Sequence, residues 1–205
     1  MAALTSAPKS IIVVSGLPRS GTSLMMNILQ VAKTPLLCDG KRGPDASNPR
    51  GYFEFEAVRR TREDAGWVEE APGYAVKVVH PLLAELPGHH FYRVILMTRP
   101  IEAIVASQNR MLERLGEPPT NLENQRLIAI FCDQLRAARQ CLQDRPHFDW
   151  IEIDYPDLLA DPVPALDRLI DFLALPCKAR KLIGVIDPQL QHEVAGGKRS
   201  DAPFR

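Results

Sequence analysis

One junction near the N-terminus constrains this chain more than anything else in it. The apolar, β-branched run Ile11 to Ser15 stops at Gly16. Eight residues, GLPRSGTS (Gly16 to Ser23), then lead into a stretch of helical character, Thr22 to Lys33. A buried strand, a glycine loop and a helix in succession point consecutive backbone N–H groups into one hollow, with the partial positive charge of a helix N-terminus behind them. That is a recipe for holding a phosphate-like anion, and the hydroxyls of Ser20, Thr22 and Ser23 are further candidate donors. The loop almost spells G-x-x-x-x-G-K-[ST], in which the lysine reaches the β- and γ-phosphates and the Ser/Thr holds magnesium. Here Thr22 stands in the lysine position, and the cation, Arg19, comes three residues earlier. A guanidinium presents a fork of donors to two adjacent oxyanions. The loop therefore suits a phosphate bearing one transferable group better than a magnesium triphosphate. The nearest candidate for a second magnesium contact is the strand-like run Trp150 to Asp154.

Three more β-branched runs read as buried parallel strands: Tyr74 to Val79, Tyr92 to Thr98 and Trp150 to Tyr155, with a weaker fifth at Pro35 to Cys38. Helical periodicity falls between them. Phe55 to Glu69 is charged and amphipathic, Ile101 to Leu115 carries an apolar stripe, and Leu122 to Leu142 is the longest such run. Pro162 opens another, with Asp161 as its expected N-cap. Alternating strands and helices predict an α/β chain of P-loop type, three layers α/β/α around a central parallel sheet. Ligands of such sheets bind beyond the carboxyl ends of the strands, where Gly16, Asp39, His80, Arg99 and Tyr155 all fall. Asp39 to Gly51 is rich in turn formers and reads as a loop. The whole chain reads as one domain, with residues 1–9 and 188–205 flexible.

Composition narrows the function classes. Twenty-five basic residues balance twenty-five acidic ones, which argues against a nucleic-acid partner. Cys38, Cys132, Cys141 and Cys177 have neither metal-site spacing nor the pattern of a secreted disulfide framework, and are expected as buried or half-buried free thiols. No run approaches the roughly 18 apolar residues of a membrane span, and MAALTSAPKS lacks the apolar core of a secretion signal. The expectation is a soluble, cytoplasmic protein with no membrane partner. A homo-oligomer stays open.

Three segments together resemble the PAPS-dependent sulfotransferases, PAPS being 3′-phosphoadenosine-5′-phosphosulfate. GLPRSGTSLMMNIL (from Gly16) resembles the family's 5′-phosphosulfate loop in its arginine version. YRVILMTRPIEAIVASQ (from Tyr92) is similar to the 3′-phosphate segment, a strand ending in arginine with serine eight residues on. IDYPDLLADPVPALDRLIDFLALP (from Ile153) is similar to the family's Tyr-x-Asp-Leu, Asp-Pro and Phe-Leu-x-Leu-Pro segment. The likeness runs in order from Ile11 to Pro176, and DASNPRGYFEFE and YAVKVVHPLLAELP further resemble a bacterial branch of small members. The resemblance implies PAPS as co-substrate. Arg19 would lie at the bridge between 5′-phosphate and sulfonate. Pro18, Ser20, Gly21, Thr22 and Ser23 would form the cradle, Arg99 and Ser107 would bind the 3′-phosphate, and Tyr155 would lie near the adenine. Where the family has Arg-Asp this chain has Arg99-Pro100, with Thr98 or Arg99 then expected at the helix cap.

The implied reaction is an in-line, metal-independent transfer of a sulfuryl group to a hydroxyl or amine of a small-molecule or carbohydrate acceptor. Asp39 lies about where some members carry a catalytic carboxylate, and it is equally a turn-forming Asp-Gly. His80 lies near the catalytic histidine of cytosolic members but is offset by one residue, which in a strand reverses the side-chain face. Glu54 and Asp45 are further candidates for the base, and Lys77 assists at the sulfonate or caps the sheet. His89 and His90 read as solvent-facing. Two other readings stand beside this one: a degenerate P-loop phosphotransferase or NTPase, and a non-catalytic nucleotide-binding protein.

Overall fold

The computed structural model describes residues 9–41, 43, 51–117 and 123–186. The termini expected to be flexible lie outside these residues except for Lys9, as does Asp45. Four strands, β1 (Ile11–Gly16), β2 (Ala75–Lys77), β3 (Tyr92–Thr98) and β4 (Phe148–Asp154), form one parallel sheet in the order β2-β1-β3-β4. Alternation along each strand explains why the sheet is covered on both sides. Ile12, Val14, Ile95, Met97, Ile151 and Ile153 face one core. Ile11, Val13, Val94, Leu96, Phe148 and Trp150 face the other.

Helices α1 (Thr22–Val31), α4 (Tyr155–Ala160), α5 (Pro162–Leu173) and α6 (Ala179–Ile183) cover the first face through residues such as Met25, Leu158, Leu169 and Leu182. The second face is covered by α3 (Asn124–Asp144) through Ala138 and Leu142, and by three short 3-10 turns that contribute Val58, Trp67 and Leu83. The helix α2 (Ile101–Leu115) packs Ile104 and Val105 against Leu17, Leu127 and Phe131. The expected three-layer α/β/α architecture is therefore present. Among the described residues no helix is long and apolar enough to cross a membrane.

Several elements differ from expectation. Phe55 to Glu69 is not one helix but two 3-10 turns, Glu56–Arg60 and Gly66–Glu70. The Asp64 carboxylate takes the Gly66 N–H at 2.8 Å, an Asx turn that competes with helix continuation. β2 is shorter than predicted: after Lys77 the Val78 N–H still reaches β1, at Val14 O (3.0 Å), before a 3-10 turn begins at His80-Pro81. Pro35 to Cys38 contributes a single bridge, Leu36 to Ala75, at the sheet edge. Tyr155 is not the end of β4 but the first residue of α4. Among the cysteines, Cys38 and Cys132 are exposed, Cys141 and Cys177 half-buried, and all four are free.

The cap assignments also change. Pro100 itself caps α2, its carbonyl accepting the Ile104 N–H, so neither Thr98 nor Arg99 does. Asp161 flanks α5 but its side chain makes no capping bond. Asp154 does cap: its carboxylate accepts the Asp157 N–H at 3.1 Å, fixing the corner where β4 turns into α4. Loss of such a cap costs about 1 kcal/mol. Asp154→Ala should therefore lower the urea midpoint of unfolding by that equivalent, while Asp161→Ala leaves it nearly unmoved; the reverse order contradicts the assignment.

Candidate functional site

The strand register sets the site. Gly16 pairs with Met97, and Met97 with Ile153, so β1, β3 and β4 end flush. The residues just past those ends, the Leu17 to Gly21 loop, Arg99 and Tyr155, share one edge of the sheet.

Arg19 occupies the left-handed region at φ 66°, a conformation that costs a non-glycine residue of order 1 kcal/mol and concentrates at functional loops. The turn aims its carbonyl and side chain at separate partners. The carbonyl accepts a hydrogen bond from Arg99 Nη1 at 3.1 Å. The side chain crosses to α2, where Nε donates to Ser107 Oγ at 3.1 Å and Nη1 lies 4.0 Å from Met111 Sδ. Arg99 and Ser107 are 5% and 1% exposed, unusual burial for a guanidinium and a hydroxyl. The Arg99 guanidinium also lies over the Tyr155 ring, 5.1 Å from its centroid, within cation–π range. Two residues that the sequence pairs at a spacing of eight thus meet the loop from a distance of 80 and 88 residues.

Tyr155 also closes on the loop itself. A Cβ on Gly21 would lie 2.3 Å from Tyr155 Cδ2, and Gly21 has φ +100°, so glycine is required there on both counts. Gly21 precedes α1, whose first turn has no side-chain cap and no acidic residue. The N–H groups of that turn, from Thr22 and Ser23, have no acceptor within the helix. Ser20 differs from its neighbours. Its N–H donates to Leu17 O at 3.2 Å, and its fully buried hydroxyl makes no hydrogen bond among the described residues. It closes the loop from within, whereas Thr22 and Ser23 are partly open and Pro18 is exposed.

A third cation arrives from the neighbouring strand. Lys77, at the end of β2, donates from Nζ to Ser23 Oγ at 3.1 Å and to Tyr52 O at 3.2 Å. The loop that lacks its own lysine has an ammonium at the first turn of α1 all the same.

The base candidates separate. His80 is buried, with Nδ1 3.2 Å from Gly16 O and Nε2 3.1 Å from Gln134 Oε1. A carbonyl only accepts, so Nδ1 carries the proton. Burial pushes the imidazole below its usual pKa, against weaker support for the charged form from Gly16 and Gln134, and a neutral ring then accepts at Nε2, satisfied when the Gln134 amide presents its NH₂ group. Asp39 is half-buried, and its carboxylate accepts the Glu56 N–H at 2.7 Å and the Lys41 N–H at 3.0 Å. Those bonds, Glu56 first, hold it below the ordinary carboxylate range. Its own N–H donates to Glu54 O, so Asp39 belongs to a strap running through Tyr52 to Glu56 that Lys77 ties to α1. Glu54 Oε2 accepts from Arg59 at 3.0 Å. His89 is exposed as expected, but His90 is largely covered, and both bond Glu69.

Sequence reading missed Met111, Gln134 and the Tyr52 carbonyl. Met111 was findable, since it follows Ser107 by four residues on the same helical face. Gln134 sits on a helix next to the buried stripe and carries no sequence signal.

No protein-family model and no curated protein sequence matches the chain. Its structure does have counterparts. The sulfotransferase domain from the curacin biosynthetic pathway superposes with a TM-score of 0.51 at 16% identity, over 89% of this chain and 79% of that one. The sulfotransferase domain from the Synechococcus PCC 7002 olefin synthase gives 0.50 at 14%, over 98% and 92%. Mouse sulfotransferase SULT7A1, solved complexed with PAP, gives 0.53 at 13%, over 96% and 69%. The chain is a parallel α/β protein with a glycine loop at the end of its first strand. More narrowly, it has the sulfotransferase fold.

The depressed pKa of His80 sets a stability signature. Protonation favours the unfolded chain, where the imidazole has its ordinary value near 6.5, so stability is full above about pH 6.5 and declines as pH falls below it. His147, also depressed by burial, acts in the same sense. The urea midpoint of His80→Gln should fall less than that of the parent between about pH 7 and pH 5.5. Parallel curves would contradict a neutral, buried His80.

Proposed function

We propose that the chain is a sulfotransferase that takes PAPS as its donor and moves the sulfuryl group to a hydroxyl or amine of a small-molecule or carbohydrate acceptor. The observation that carries this reading is the pair of bonds at the loop tip, Arg99 Nη1 to Arg19 O and Arg19 Nε to Ser107 Oγ, both 3.1 Å. They bring a strand-end arginine and a helical serine, 80 and 88 residues further along the chain, to the phosphate loop. The donor set fits a nucleotide with two anionic groups: two guanidinium groups, an ammonium, hydroxyls, first-turn N–H groups and an aromatic ring.

In this reading Arg99 and Ser107 hold the 3′-phosphate, and Tyr155, already stacked on Arg99, lies beside the adenine. The N–H groups of Gly21, Thr22 and Ser23 hold the 5′-phosphate, with Pro18 and Ser20 shaping the loop. Arg19 and Lys77 face the 5′ end and offset negative charge on the leaving oxygen. The Arg19–Ser107 bond is the one that nucleotide binding replaces. Bound PAPS supplies a sulfuryl group whose sulfur–oxygen bond to phosphate breaks as the acceptor oxygen or nitrogen bonds sulfur, leaving 3′-phosphoadenosine-5′-phosphate. The acceptor proton goes to a base, and Asp39, ionised and partly open to solvent on the strap, is the group proposed for it. His80, with both ring nitrogens engaged, positions the end of β1 against α3.

Calorimetric titration tests the assignment. The nucleotide product, 3′-phosphoadenosine-5′-phosphate, should bind without magnesium and more tightly than ATP with magnesium. Arg99→Ala should weaken it by about 10- to 100-fold, the worth of a charged hydrogen-bonded contact, while adenosine 5′-phosphate is almost unaffected. Equal weakening of both ligands would refute the 3′-phosphate role, and stabilisation by magnesium ATP alone would favour a phosphotransferase. Asp39→Asn should lower kcat with unchanged nucleotide affinity, whereas an unchanged kcat removes Asp39 as the base.

A further inference from the structure

A second cluster lies at the opposite edge of the sheet. His89 and His90 lie just before β3, separated from it by Phe91, and its seven residues put this corner about 20 Å from Arg99. Glu69 belongs to the 3-10 turn Gly66–Glu70, which Trp67 and Val68 anchor in the core. His89 Nε2 lies 2.9 Å and His90 Nε2 3.2 Å from the same Glu69 oxygen, Oε1. The two rings sit side by side, with centroids 4.5 Å apart and an interplanar angle of 47°. One donor atom from each residue lies within 4.8 Å of the other two.

We propose that Glu69, His89 and His90 form a divalent-cation site of the zinc class, two imidazole nitrogens and one carboxylate oxygen with water completing the shell. Three features of the geometry point to this. First, both imidazoles present the same nitrogen, Nε2, to one point. In neutral rings those nitrogens carry protons toward Glu69, and the other tautomer would turn two lone pairs to the same place. Second, the spacing is close to what the metal needs. Tetrahedral zinc with donors at about 2.0–2.1 Å separates them by about 3.3 Å; the two histidine–carboxylate contacts, 2.9 and 3.2 Å, fall just short of that, and the third pair lies within 4.8 Å. Third, part of the ligand set is preorganised. The histidines are consecutive, His90 is only 17% exposed and packs edge-on against Tyr92 at 6.4 Å, and Tyr92 is locked by its hydroxyl to Pro87 O at 2.9 Å.

The donor set selects the ion. Imidazole nitrogens suit zinc and its transition-metal neighbours, whereas calcium and magnesium require oxygen shells. Water at the exposed side leaves the ion open. Its structural effect is to tie the 3-10 turn to the start of β3. It takes no part in the phosphate-loop site, so the proposal stands independently of the sulfotransferase reading.

The test uses the full chain without a histidine tag. Zinc titration by calorimetry, and cobalt substitution read by visible d–d absorption, should show one saturable site. Thermal unfolding should shift upward with zinc concentration, as binding to the folded state requires, and magnesium should give no shift. His90→Ala and Glu69→Gln should each weaken zinc binding by about tenfold or more. His89→Ala, whose side chain is exposed, should do the same while keeping the metal-free melting temperature, and so serves as the variant least able to disturb folding. Absence of saturable zinc binding overturns the proposal. So does binding that survives all three substitutions, which would place the metal on the exposed thiols of Cys38 or Cys132 or elsewhere.

Discussion

The hydrogen bond from the Arg99 guanidinium to the Arg19 carbonyl is the contact that joins the two ends of the site. It exists because β1 and β3 end in register and because Arg19 is held in a left-handed turn. Move the register by one residue and the side chain at the end of β3 points to the other layer. Relax the turn and the carbonyl no longer faces Arg99. Gly21 belongs to the same constraint: only a residue without Cβ lets Tyr155 close on the loop and stack beneath Arg99. One backbone carbonyl, one ring and one glycine therefore join the first strand–helix unit to the last.

The electrostatics follow from that join. A conventional phosphate loop places one lysine in the loop and adds a divalent cation. Here the positive groups are distributed: Arg19 at the tip, Lys77 from the neighbouring strand at Ser23, Arg99 from the strand on the other side, and the uncapped first turn of α1. The positive charge is fixed by three strands rather than by one loop. In the proposed reaction this makes donors preorganised toward a nucleotide with two separated anionic groups, the electrostatic arrangement expected to offset charge on a leaving phosphate.

Much of the fold was legible because burial on both faces of a parallel sheet writes continuous β-branched runs, and β1 and β3 carry them cleanly. β3 and α2 match their expected spans residue for residue. The failures have local causes. The charged pattern over Phe55 to Glu69 has helical spacing, but the Asx turn at Asp64 and the glycine beside it divide it. Asp161 is the expected cap of the proline-led helix that follows it, yet its side chain makes no capping bond, and the carboxylate that closes on a backbone N–H is Asp154, one helix earlier. In the site, Gly16, Arg19, Gly21 and Arg99 were visible from the strand–loop–helix and strand-end patterns. The inward role of Ser20 and the bridge from His80 to Gln134 were not, because each depends on which layer a neighbouring helix occupies, and no local pattern encodes that.

The most direct test of the two-ended grip is a crystal structure of the chain with 3′-phosphoadenosine-5′-phosphate. The account predicts the 3′-phosphate within hydrogen-bond distance of Arg99 and Ser107, the 5′-phosphate on the N–H groups of Thr22 and Ser23, and the Arg19 side chain moved off Ser107 toward the 5′ end. A nucleotide bound with its 3′-phosphate in solvent and the Arg19–Ser107 bond intact would contradict it.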